Sequence, residues 1–265
     1  MATQQQKSYK ILLLGDGCTD KYHFGRCDRL SPEAPVPVFK LIETKVMPGM
    51  ALNVEKNLIS FDIDVRTVSN ENHLITKERF IDERSGQQLL RLDTGEDKSL
   101  DPLTVGGLDL SQYDCIVVSD YNKGILDYHN CETLSHMCKR INKLLFVDSK
   151  KTDLSCFEDA IIKINEKERE LIEKLPNKYD MIVTLGEKGA SWDGLHFPSD
   201  PTEVFDVSGA GDTFFAALIS EYLSTNNIAT SIIFANKCAA TTVKKIGAYS
   251  LTNEEIREIR DGLYS

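Results

Sequence analysis

The sequence predicts an α/β fold, with a central, mostly parallel sheet flanked by helices and a small β-lid. Three observations carry that prediction. Short apolar runs alternate with longer helical patterns, which implies a parallel sheet covered on both faces. Residues able to do chemistry gather where the apolar runs end, the place where ligands sit in open α/β sheets. Two segments, 22–45 and 76–92, interrupt the alternation with β-branched residues and turn signals, and read as the lid.

The elements follow in order. Residues 9–14 form an apolar run ending at Gly15-Asp16, a buried first strand that opens onto a site. Val36, Val38 and Leu41 suggest strands within 22–45, and 76–92 turns at Ser85-Gly86. Helices are expected over 51–61, 126–142, 167–175, 213–224, 231–245 and 253–264. Strands are expected at 65–68, 115–119, 144–148, 160–165 and 181–185. The whole chain, 1–265, reads as a single domain, without repeats or low-complexity tracts.

Composition narrows the function. The net charge is −10, which disfavours nucleic acid and anionic membrane surfaces as partners. Seven scattered cysteines form no C-x-x-C pair and show no zinc-ligand spacing, which fits reduced thiols. No apolar run reaches the ~20 residues of a membrane span, and the first ten residues are polar. A cytoplasmic location is the expectation.

The richest run is Asp206-Val207-Ser208-Gly209-Ala210-Gly211-Asp212-Thr213, followed by an apolar helical stretch. A Gly-rich turn opening a helix aims several N–H groups and the positive end of the helix dipole at one spot. A phosphate in transfer suits that spot, and Asp212 at the helix mouth is placed to take a proton from an attacking hydroxyl. Taken alone, Gly-x-Gly-Asp is also an ordinary turn with a capping aspartate. No G-x-x-x-x-G-K-[ST] motif occurs, so phosphate must be cradled by another device. Asn165 with Glu168 has the spacing of a helix capping box as well as of a magnesium-orienting pair. Asp206 is read evenly as support for the loop or a nearby cation, or as a loop cap.

The run 206–213 resembles the second signature of the ribokinase-like carbohydrate kinases. Asn165-Glu166-Lys167-Glu168 is similar to their Asn-x-x-Glu motif, and Thr184-Leu185-Gly186-Glu187-Lys188-Gly189 to their Thr-x-Gly-x-x-Gly motif. Gly49-Met50-Ala51-Leu52-Asn53 resembles the Gly-Gly-x-x-Asn sugar turn, with Met50 in place of the second glycine. The runs 15–20, 29–38, 87–93 and 119–124 are similar to heptose-7-phosphate kinases, whose fused forms also carry a nucleotidyltransferase. Relatives place a further strand and helix where this chain has only 69–75.

The resemblance implies a ribokinase-like fold and ATP-dependent phosphorylation of a sugar phosphate at its anomeric hydroxyl. It makes Asp212 the base and Gly209, Ala210 and Gly211 the anion hole. Asp16, Asp20, Gly49 and Asn53 would meet the sugar, and Arg29, Lys77, Arg91 and Lys123 its phosphate. Lys150, Asn165, Thr184, Gly186, Gly189 and Asn236 would serve the nucleotide. Asn165 and Glu168 would hold Mg2+ through water, with a monovalent cation as a further expected ion. Paired lids would make a homodimer, with Val36 and Val38 near the contact. Another sugar phosphate, or a degenerate fold that binds a sugar nucleotide without turnover, remain the alternative readings.

Overall fold

Two sheets organise the computed structural model, which describes residues 8–70, 75–96, 101–245 and 247–264. Strand β1 (Lys10–Gly15) lies in the body, and β2 (Gly17–Arg26) leaves it for the lid. β3 (Lys40–Met50) pairs antiparallel with β2 and runs directly into α1 (Ala51–Ser60). β4 (Asp64–Val68) pairs parallel with β1. β5 (Ile75–Asp82) pairs parallel with β2, and β6 (Gln88–Thr94) antiparallel with β5.

The alternation then resumes with β7 (Cys115–Asp120), α2 (Tyr128–Arg140), β8 (Leu144–Ser149), β9 (Ala160–Asn165), α3 (Glu166–Leu171) and β10 (Tyr179–Thr184). A hairpin of β11 (Ala190–Trp192) and β12 (Leu195–Phe197) precedes α4 (Ala210–Thr225), α5 (Ile228–Thr242) and α6 (Asn253–Tyr264). The large sheet has the order β12-β11-β10-β9-β8-β7-β1-β4, and the lid sheet the order β3-β2-β5-β6.

The period of two in β1 splits the core. Ile11 and Leu13 pack with α1, α4 and α5 on one face, through Val54, Phe215 and Phe234. Leu12 and Leu14 pack on the other, with Leu134 of α2. α4 is buried along most of its length, which explains why its apolar residues show no clear one-sided pattern.

Several elements differ from the sequence reading. Val36 and Val38 lie in an irregular loop between β2 and β3, not in a strand; Pro32, Pro35 and Pro37 deny this stretch ladder donors, and the described pairing is one bridge, Leu30 to Pro37. The lid's first strand begins at Gly17, before residue 22. α3 stops at Leu171 rather than 175, because the chain turns extended at Ile172 and pairs Lys174 with Asp153. The β11–β12 hairpin escapes notice because three-residue strands carry almost no periodicity. β4 closes one edge of the large sheet; part of the shortened segment 69–75 lies outside the described residues.

Candidate active site

Parallel strands deliver their C-terminal ends to one side of the sheet. Gly15, Asp120, Ser149, Asn165 and Thr184 are the last residues of β1, β7, β8, β9 and β10. The turn before α4 stands over this edge. Gly209 adopts φ 77° and ψ −1°, a left-handed conformation that opens the helix. A Cβ there would also fall 2.9 Å from Asn53 Nδ2. Glycine is therefore required twice over, by conformation and by space.

This turn separates two cavities. The larger, about 570 Å³, is lined by Thr184, Gly186, Gly189, Ala210, Gly211 and Asn236, among others. Its size suits a nucleotide. Asn236 is buried, and its Nδ2 donates to Phe197 O at 2.9 Å, which fixes α5 to the β12 end. The smaller, about 170 Å³, is lined by Asp20, Asn53, Lys77, Arg79, Arg91 and Asp212, together with Cys18, Met50 and Tyr121. Burial pushes the Cys18 thiol up to about 12, so it is no nucleophile.

Asp212 sits between the two. Asn53 Nδ2 donates to its Oδ2 at 2.7 Å, and the Tyr121 hydroxyl donates to its Oδ1 at 3.1 Å. Burial raises its carboxyl above the usual value, opposed by the Asn53 hydrogen bond and the Lys163 charge. Such an environment makes a better base than an exposed aspartate.

Behind the turn lies a buried charge network. Lys163 Nζ donates to Asp148 Oδ2 at 2.6 Å, and both side chains are almost fully buried. Lys150 Nζ donates to Asp148 Oδ1 at 3.3 Å and also to Glu168 Oε1. Burial disfavours the Asp148 charge, but Lys163 and Lys150 outweigh it and hold the carboxyl below its usual value. Asn165 and Glu168 form a complete capping box on α3, so the capping role is real. Glu168 keeps a second oxygen, Oε1, for a cation, now facing Lys150. Among the described residues no group of three or more His, Cys, Asp or Glu could hold a metal directly. Hard oxygens already sharing a cation fit magnesium held through water.

Some expected residues stand elsewhere. Asp16 has no exposed surface and does not line the smaller cavity. Its carboxylate accepts from Tyr121 N (2.8 Å), Lys123 N (3.2 Å) and Ile125 N (3.3 Å), so it anchors a loop instead of meeting a sugar. Arg29 is exposed on the proline-rich loop and lines neither cavity. Lys123 lies outside the cavity lining and shares Glu96 with Lys77. Lys150, Asn165 and Glu168 lie outside the nucleotide cavity's lining. Asp206 accepts from Ser208 N and Gly247 N, both at 2.8 Å, which is the loop-supporting one of its two readings. Lys151, next to Lys150, is nearly buried and donates to Asp120 Oδ2 at 2.8 Å and Leu126 O at 2.7 Å.

Gly49 has a specific reason to be glycine: a Cβ would sit 2.2 Å from Asp20 Oδ2. Met50, next in line, takes φ 56° and ψ −132°, a strained conformation for any residue with a Cβ.

Arg79, Lys163 and Tyr121 were missed. Arg79 Nη1 donates to Asp20 Oδ1 at 2.5 Å and stacks over the Tyr22 ring. It lies two residues from Lys77, on the same strand face, a period-two signal the sequence does offer. Lys163 interrupts the apolar run Ala160-Ile161-Ile162-Lys163-Ile164; a lysine there must be paired if buried.

A nucleotide-sized cavity, a sugar-sized cavity and a carboxylate between them are the parts of a phosphotransferase acting on a small alcohol. The chain belongs to the pfkB family of carbohydrate kinases, whose pattern matches residues 53–255. The protein is a sugar kinase, and the family implies ATP as donor. It is 33% identical over 301 residues to "Bifunctional protein HldE" of Nitratiruptor sp., covering 94% of this chain and 64% of that protein. It is 31% identical to the protein of the same name in Haemophilus influenzae, covering 94% and 63%. The chain thus spans a little under two thirds of the curated relatives it matches. Its ribokinase-like fold is shared with phosphofructokinase-2 of Escherichia coli (TM-score 0.71, 15% identity, 97% of this chain and 100% of that one). Ribokinase of Thermotoga maritima gives a TM-score of 0.69 at 19% identity, over 96% and 99%. No helix among the described residues is long and apolar enough to cross a membrane.

Proposed function

We propose that the protein transfers the γ-phosphoryl group of ATP to the anomeric C1 hydroxyl of a heptose 7-phosphate. The product is the 1,7-bisphosphate, a precursor of a nucleotide-activated sugar. The observation that carries this reading is Asp212, hydrogen-bonded at the mouth of α4 between an ATP-sized cavity and a cation-ringed smaller one. The heptose assignment rests on the likeness of the sugar-side runs to heptose-7-phosphate kinases and on similarity to the proteins named HldE.

In this reading the chain 1–265 acts as one kinase domain. Asp20 and Asn53 orient sugar hydroxyls, and Asp212 takes the proton of the attacking one. Main-chain N–H groups of the Gly209-Ala210-Gly211 turn face the phosphoryl group, where charge spreads over its oxygens, the Ala210 N–H giving up its 3.2 Å bond to Val207 O to do so. Magnesium, held through water by Asn165 and Glu168, would neutralise phosphate charge when bound. Lys77, Arg79 and Arg91 receive the sugar's own phosphate, and lids of two subunits pair to cover the sugar sites.

A panel of sugars with ATP tests it. Charged hydrogen bonds contribute about 1.5–3 kcal/mol each, so kcat/KM for the phosphorylated heptose should exceed that of the free sugar at least ~10-fold. Equal values would sink the proposal. A different sugar phosphate turning over faster would move the assignment to that substrate, and no turnover with any of them would favour a binding protein.

A further inference from the structure

Tyr121 lies at the point where the site's parts meet. Its hydroxyl donates to Asp212 Oδ1 at 3.1 Å. Its ring lies under two cations: Lys150 Nζ at 5.3 Å from the centroid and Lys77 Nζ at 5.9 Å. One of these belongs to the Asp148–Glu168 network and the other to the sugar cavity. The loop that presents Tyr121 is tied at both ends. Buried Asp16 accepts three of its N–H groups, while Asp120 accepts from Asn122 N at 2.9 Å and from Lys151 Nζ. Fully satisfied buried carboxylates on both sides of a short loop rigidify it.

We infer that Tyr121 is a positioning residue for the base, its hydroxyl orienting the Asp212 carboxylate and its ring holding that carboxylate in register with the cations of both cavities. The inference rests on the reading of Asp212 as the base. Asn53 fixes one carboxylate oxygen and Tyr121 the other, so rotation of the carboxylate is blocked from two elements. A near-attack arrangement demands such fixation.

The Tyr121 hydrogen bond also favours the ionised form of Asp212, as do Asn53 and Lys163, while burial and Asp148 oppose it. From the lid side, Cys18, Asp20, Lys77 and Arg79 line the same cavity. Removing one donor to the carboxylate should raise the pH at which the base is lost.

Tyr121→Phe keeps the ring and removes only the hydroxyl. The acid limb of its kcat/KM profile should move up by about one pH unit, the scale of one hydrogen bond to a charged group. kcat should fall while KM for ATP stays near the parent value. Asp212→Asn is measured beside it. If Asp212→Asn keeps near-parent turnover, the base reading fails and the inference goes with it. If Asp212→Asn is inactive but Tyr121→Phe has the parent's acid limb and kcat, the positioning role alone is overturned. A lowered melting temperature with an unmoved acid limb also overturns it, since that marks a purely structural tyrosine.

Discussion

Met50 is the residue where local conformation and chemistry conflict. Its φ of 56° suits glycine, yet its side chain is buried and lines the smaller cavity. Such strain costs of the order of 1–3 kcal/mol. Met50→Ala loses the thioether but keeps the strained Cβ, whereas Met50→Gly loses both. Glycine usually destabilises relative to alanine through backbone entropy. Here the order should reverse, with Met50→Gly more stable than Met50→Ala by about 1 kcal/mol or more in urea unfolding. The usual order would show that Met50 is not strained in solution. Glu168 is the second informative residue, because it caps α3 and faces Lys150. Glu168→Gln can still accept the Asn165 N–H but loses its charge. The magnesium concentration for half-maximal rate should rise in that variant, and an unchanged magnesium profile would leave Glu168 as a cap alone.

At the scale of elements, β8 and β9 carry the Asp148–Lys163 pair beneath the turn. Removing one partner of a buried pair leaves the other uncompensated, at about 3–5 kcal/mol. Asp148→Asn should therefore lower stability by that order near neutral pH. Because the native Asp148 carboxyl titrates below its usual 3.8, its contribution is present above that value and lost as pH falls through the native titration. The difference between parent and variant, read from urea midpoints, should shrink as the pH drops below 3.8; a constant difference would exclude an ionised Asp148 as its source.

The same strands show what a sequence discloses. The runs at β1, β7 and β8 are apolar up to their C-terminal ends and that at β9 is broken only by Lys163, so their existence and order could be read directly, as could the turn before α4. Asp16 could not be placed. A carboxylate after a strand is equally suited to a ligand or to three main-chain N–H groups 105 to 109 residues away, and only the fold brings those donors in. Arg29 failed for a related reason, since a proline-rich loop gives no periodicity to say which way it projects. Lys163 was legible as an anomaly but not as a partner of Asp148.

At the scale of the whole molecule, the lid presents an uncovered apolar surface. In the lid, Leu41, Ile42 and Val46 on β3 and Leu90 and Leu92 on β6 are each about half exposed or more, and these two strands are the sheet's edges. Val36, in the adjoining loop, is exposed as well. Open apolar edges invite pairing, and a two-fold dimer would bury them on both copies. We expect a dimer at micromolar concentration by light scattering, converted to monomer by Leu41→Asp with Val46→Asp. A monomeric parent would refute the lid interface.

The cations around the smaller cavity each carry a carboxylate already: Lys77 with Glu96, Arg79 with Asp20, Arg91 with Asp93. At a distance they cancel, and what an approaching anion meets is a body of net charge −10. Long-range attraction therefore does not deliver ATP to this enzyme; the encounter is mildly repulsive until the last few ångströms. Adding salt, which shortens the reach of that repulsion to about 10 Å at 0.1 M, should quicken nucleotide association rather than slow it. Capture here is a matter of fit at close range, and the bimolecular rate should rise with ionic strength.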